Sequence, residues 1–156
     1  MAVIEHLRQV ETFREVSDDT LAEIEQLTDE KRFAAGERLF KDGDAATHLW
    51  IVEEGTIDLR FDLPGRETSE EATLSSVTAD KIIGWSSFVP PYKYKLSAYC
   101  ASDQCRVLTI DREAFRDYLT AHPENGYKVM AAMLQVVGRR FENLQGASGD
   151  VSLPRR

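Results

Sequence analysis

Cysteine is scarce in this 156-residue chain, where Cys100 and Cys105 are the only two. Two thiols cannot build a disulfide framework or a four-cysteine metal site within one chain, so they are expected as reduced core thiols that strand pairing can bring close. Histidine is nearly as rare, and His6, His48 and His122 share no short spacing of the kind that marks a zinc site. No metal is expected. Long apolar runs are missing too: "LWIV" at 49–52 falls far short of a membrane span, and "MAVIEHLRQV" lacks the basic start and apolar stretch of a signal peptide. These absences predict a cytoplasmic protein that does not engage a membrane. Positive charge is also in deficit, with 27 acidic residues against 19 basic and a net charge of −8, which opposes binding to nucleic acid through a general field. Finally, no G-x-S-x-G elbow, P-loop or paired metal-spaced histidines occur, so no enzyme is expected.

What is present is one core's worth of apolar residues, 42 % of the chain, in a length that suits a single domain. Helical spacing joins Val3, Leu7, Val10 and Phe13, and a second short helix is predicted from Asp18 to about Thr28, capped by Ser17. From Lys31 the period changes. Short strand-like runs separated by turn signals follow, among them "HLWIVEEGTIDLRF", "ATLSSV", "KIIGW", "LSAYCASD" and "CRVLTID". Ile57, Leu59 and Phe61 alternate with Thr56, Asp58 and Arg60, as a half-buried strand should. So many short strands suggest a barrel or sandwich-like roll. Asp111 then caps a helix over 112–120, and Pro123 opens a long last helix over 123–145. The domain is placed at 1–145 and a tail at 146–156.

The last helix carries two apolar stripes. Tyr127, Met130, Leu134, Val137, Phe141 and Leu144 are spaced 3, 4, 3, 4, 3, the a/d seam of a coiled coil, while Val129, Ala132, Met133 and Val136 lie on another face. One stripe is expected to cover the domain and the other to meet a second copy in a homodimer. Against this, a single buried helix can use both faces within one subunit, and Gly138 weakens the middle of the seam.

"FAAGERLFKDGDAATHLWIVEEGTIDL", residues 33–59, resembles the opening of cyclic nucleotide-binding domains, and the order of elements extends the resemblance from about Leu7 to Leu144. The resemblance implies a mainly β fold: a jelly-roll-like double-stranded β-helix, or β-roll, with N-terminal helices and a long C-terminal helix. It also implies that "GWSSFVPPYKYKLSA", residues 84–98, is the phosphate-binding cassette. After the glycine the family places a glutamate for the ribose 2′-hydroxyl, and just before the serine–alanine pair an arginine for the phosphate. Here Trp85 follows Gly84, and Leu96 precedes Ser97 and Ala98; an ungapped count from Gly84 instead puts Lys95 at the arginine position. Lysine supplies charge without the planar bidentate fork of arginine. The candidate ligand-binding residues are therefore Gly84, Trp85, Ser86, Ser87, Lys95, Leu96, Ser97 and Ala98. If Lys95, Ser97 and Tyr99 share one strand face, Leu96, Ala98 and Cys100 take the other, so the two registers imply opposite interiors.

The expectation is a regulatory, non-enzymatic module that binds cAMP or cGMP weakly or not at all. In place of a nucleotide, Trp85, Phe88, Tyr92 and Tyr94 are expected either to line a pocket for another small ligand or to plug it. Two alternatives stand beside it: a working cyclic nucleotide sensor using Lys93 or Lys95 with backbone amides, and a structural interaction protein with a plugged pocket and a protein partner. Many relatives bind DNA through a winged helix that follows the long helix. Eleven residues after Gln145 cannot form one, so DNA binding is not expected.

Overall fold

In the computed structural model, which describes residues 3–61 and 73–147, two four-stranded antiparallel sheets form a roll flanked by helices. The strands are β1 (Thr28–Ala34), β2 (Arg38–Phe40), β3 (His48–Glu54), β4 (Ile57–Arg60), β5 (Thr73–Val77), β6 (Ile82–Ile83), β7 (Ser97–Cys100) and β8 (Gln104–Asp111). One sheet has the order β1-β8-β3-β6 and the other β2-β7-β4-β5. The helices are α1 (Val3–Gln9), α2 (Asp18–Glu25), α3 (Arg112–Ala121) and α4 (Pro123–Ala147), with 3-10 turns at Glu11–Phe13 and Trp85–Phe88. This is the mainly β architecture expected from the resemblance.

The run "LWIV" explains how the layers meet. Successive side chains of a strand point to opposite faces. Leu49 and Ile51 of β3, with Leu108 and Ile110 of β8, face a core shared with the helices, together with Phe13, Phe115 and Met133. Trp50 and Val52, with Cys105 and Val107, face the interior between the two sheets, together with Phe40, Ile57, Tyr94 and Ala98. The central strands of the first sheet are thus buried on both faces, which is why their sequence is continuously apolar rather than alternating.

Helix ends follow the local chemistry. Ser17 Oγ accepts from the Thr20 amide at 3.2 Å, and Asp111 Oδ2 accepts from the Ala114 amide at 2.9 Å, each satisfying a donor that the helix leaves unpaired. Two boundaries differ from the sequence expectation. Helix α2 ends at Glu25 rather than near Thr28, and the strand pattern begins at Thr28 rather than Lys31, because Thr28 already pairs with Ile110 of β8. The first helical segment breaks after Gln9 and resumes as the 3-10 turn, so Phe13 reaches the core from the turn and Val10 from the break between the two.

Helix α4 packs on the Glu11–Phe13 turn and on α3. Its two stripes separate as expected: Val129, Met133 and Val136 are buried, whereas Tyr127, Met130, Leu134, Val137 and Phe141 are exposed. The Leu144 side chain lies outside the described residues. The helix runs two residues beyond the expected boundary at 145, and the remainder of the tail is likewise outside the described residues.

Candidate functional site

Gly84 begins the site. It follows β6 with φ of 87°, a left-handed conformation, and a Cβ there would stand 2.9 Å from the His48 carbonyl oxygen and 3.0 Å from the Trp50 ring. Only glycine meets both demands without strain. The chain then makes a single 3-10 turn, Trp85–Phe88, in which the Ser87 hydroxyl donates to the Gly84 carbonyl at 2.8 Å. Ser87 is fully buried and spends its hydroxyl on its own turn.

The return segment is held from the other side. The amides of Gly43 and Ala46 donate to the carbonyls of Tyr94 and Tyr92, both at 2.8 Å, and the Tyr94 amide donates to Asp44 at 2.9 Å. This short pairing with the "DGDAA" turn drives the Tyr94 side chain inward. Its ring stacks on Phe40 with centroids 3.9 Å apart, and Phe40 in turn packs on Trp50 at 5.6 Å. The Tyr94 hydroxyl donates to the His48 carbonyl at 2.9 Å and accepts from Trp50 Nε1 at 3.1 Å and from the His48 amide at 3.3 Å. Burial raises its pKa above the usual tyrosine value, so it stays a neutral donor.

Between these segments lies a cavity of about 130 Å³, lined by Phe40, Leu59, Ile83, Gly84, Trp85, Ser86, Tyr94, Lys95 and Leu96. Five of the eight residues predicted for ligand binding line it: Gly84, Trp85, Ser86, Lys95 and Leu96. The other three do not. Ser87 is consumed by its turn, Ser97 Oγ accepts from the Asp42 amide at 2.8 Å, and Ala98 is packed in the inter-sheet core. Two of the four expected aromatic liners also point elsewhere. Phe88 meets Phe115 edge to face at 5.9 Å, and the Tyr92 ring lies 4.1 Å from the Arg112 guanidinium. Lys93 is exposed and bridges to Ala45, away from the cavity.

The pairing of β7 fixes which of its residues face the interior. Strand β7 begins only at Ser97, so neither Lys95 nor Leu96 belongs to it. Within β7, Ala98 lies opposite Leu59 and Phe40, and Cys100 opposite Ile57; these are interior residues. Tyr99 lies on the outer face, under the Arg60 guanidinium at 4.8 Å. Lys95 and Leu96 both line the cavity from the bend before the strand, Leu96 half-buried and Lys95 exposed. Phe40, Leu59 and Ile83 also line the cavity, and no motif in the sequence marks them as site residues. Their signal was only strand alternation, which marks an inward face but not what the face encloses.

Among the described residues, no cluster of three or more histidine, cysteine or acidic side chains is placed to hold a metal ion, and no helix is long and apolar enough to cross a membrane.

The family model for the cyclic nucleotide-binding domain matches residues 30–122. Among curated proteins, the chain is similar to the cAMP-dependent protein kinase type II regulatory subunit of Drosophila melanogaster, with 28 % identity over 89 residues, 57 % of this chain and 22 % of that protein. It is also similar to glutaminase 2 of Bradyrhizobium diazoefficiens, with 22 % identity over 144 residues, 87 % of this chain and 20 % of that protein. The chain thus spans about a fifth of the length of these relatives. Among solved structures, a cyclic nucleotide-binding domain from Methylobacillus flagellatus KT superposes with a TM-score of 0.80 at 20 % identity, covering 98 % of this chain and 84 % of that one.

Proposed function

Because the chain belongs to the cyclic nucleotide-binding domain family, we propose that it is a regulatory module of that fold whose cassette binds cAMP and cGMP weakly or not at all. The observation that carries this reading is the cavity itself. Trp85 and Leu96, standing where the family resemblance puts glutamate and arginine, line a space of about 130 Å³, below the roughly 300–1,000 Å³ usual for small-molecule sites. Tyr94, stacked on Phe40 and bonded through its hydroxyl, fills the adjoining interior.

Two lost charge-assisted hydrogen bonds, at roughly 1.5–3 kcal/mol each, correspond to a fall of about 10²–10⁴ in affinity. Calorimetric titration with cAMP and cGMP is the direct test. No heat is expected at roughly 1 mM nucleotide, and micromolar binding would mean that Lys95 and backbone donors suffice. Such a result favours the nucleotide-sensor alternative. Silence toward both nucleotides leaves a different small effector or a plugged interaction module, and the small cavity supports the latter two equally.

A homodimer through α4 is the second part of the proposal. Tyr127, Leu134 and Phe141 are 76 %, 73 % and 60 % exposed on one stripe, a costly surface for a monomer. A groove of about 390 Å³ beside it, lined by Phe88, Leu119, Pro123, Tyr127 and Met130 among others, connects the stripe to the cassette turn. A ligand that moved Phe88 would therefore alter the surface shown to the second copy. Sedimentation equilibrium is expected to give a dimer for the chain and a folded monomer for Leu134→Glu. A monomeric parent protein rules the α4 dimer out.

A further inference from the structure

The two cysteines meet in a place that the proposed function does not use. Cys100 ends β7 in one sheet, where it lies opposite Ile57 of β4, and Cys105 is the second residue of β8 in the other, where it lies opposite Phe33 of β1. Their sulfurs nevertheless come within 2.7 Å, and Cys100 Sγ also lies 3.4 Å from the Ser102 carbonyl oxygen. Each residue is 1 % exposed. The contact therefore joins the two sheets.

Two turns hold the pair in position. Cys105 Sγ donates to the Thr56 carbonyl at 3.2 Å, the Thr56 amide donates to Ser102 Oγ at 3.0 Å, and Ser102 Oγ donates to the Gln104 carbonyl at 2.9 Å. Gly55 completes the closure. With φ of 95°, it brings the β3–β4 turn so close that a Cβ would lie 2.9 Å from Cys105 Sγ and 2.6 Å from the Gln104 oxygen. Neither thiol lines the cassette cavity.

We propose that Cys100 and Cys105 are a redox-active pair, converted by a small hydroperoxide into an intramolecular disulfide that staples the two sheets beneath the Gly55 and Ser102 turns. The chemistry balances in two steps. One sulfur attacks the peroxide, the O–O bond breaks, water (from hydrogen peroxide) or the alcohol (from an organic hydroperoxide) leaves with the thiol proton, and that sulfur becomes a sulfenic acid. The second sulfur then attacks the first, the S–S bond forms, the S–O bond breaks, and the departing hydroxide takes the second thiol's proton to give water. Peroxide gains two electrons and the two thiols supply them.

The surroundings set the pace. Burial first, and the neighbouring Cys105 second, push the Cys100 thiol up to about 11, so little of it is thiolate at neutral pH and the step is slow there. Burial also excludes bulky oxidants, which is why the reagent named is a small hydroperoxide. A disulfide closed across so short a loop engages only one molecule.

The test uses the full chain: incubation with hydrogen peroxide at about pH 7 and about pH 9, removal of the oxidant, denaturation, alkylation with iodoacetamide and intact-mass measurement. The expected product is monomeric, about 2 Da lighter than untreated protein, takes up no alkyl label, and regains two labelled thiols after dithiothreitol. Formation is expected to be faster at the higher pH. Two alkylated cysteines at both pH values, stepwise gain of oxygen without a disulfide, or a cross-linked dimer would each overturn the proposal. The wild-type measurement stands without a variant; Cys105→Ser is expected to abolish the lighter product.

Discussion

The protein has two interiors, and they are built differently. The one between the helices and the first sheet is aliphatic and aromatic, with Leu7, Leu21, Ile24, Ile51 and Leu108 around the edge-to-face pairs of Phe115 with Phe13 and Phe88. The one between the sheets holds Trp50, Tyr94, Cys100 and Cys105, and each of these uses a polar atom in a hydrogen bond. Both bury polar atoms, but in the second these belong to the packed core side chains themselves. A buried polar group left without a partner costs about 1–3 kcal/mol, so the inter-sheet core tolerates its donors only in the arrangement that pairs them. The apolar cluster on the helix side holds together mainly by shape and area, with its polar neighbours, such as the His6 ring nitrogen 3.2 Å from the Val52 carbonyl, paired around it. The candidate site borders the interior that is specified by hydrogen bonds, where a small change of residue alters what the space accepts.

The sharpest way to break this contrast is truncation on the helix side. Phe115→Ala removes a fully buried ring that touches Phe13 and Phe88, and a loss of about 3–5 kcal/mol is expected in denaturant unfolding. A loss below about 1 kcal/mol would mean that this core relaxes around a cavity and is not packed as described. The matching change on the inter-sheet side leaves the volume almost intact. Tyr94→Phe deletes one hydroxyl and strands Trp50 Nε1 and the His48 carbonyl, with an expected loss of about 1–3 kcal/mol. If it is neutral, the hydrogen bonds do not specify the inter-sheet core, and the distinction between the two interiors falls.

The same contrast explains what could be read in advance. Strand alternation and turn residues pointed to a barrel or sandwich-like roll, the family resemblance implied the β-roll, and the caps at Ser17 and Asp111 were visible because their chemistry is local. Boundaries were less so: Thr28 joined β1 rather than α2 because its partner, Ile110, is 82 positions away in the chain. The cassette was found by position, yet Ser87, Ser97, Phe88 and Tyr92 were diverted to partners that no spacing along the sequence announces. Phe40, Leu59 and Ile83 entered the cavity wall by the converse route, as inward residues of three strands that meet only after the sheets close.

Sequence by itself determined the class of fold, the two stripes of α4, and the absence of a charged residue at 85 and 96, since periodicity and residue identity need no partner. Tertiary structure alone decided that β3 and β8 divide two interiors, that the cassette borders a small space walled in part by Tyr94, and that Cys100 and Cys105 touch across the sheets. The reason is physical: each of these depends on closing the roll, which sets side chains from distant strands against one another at distances that local preference does not control.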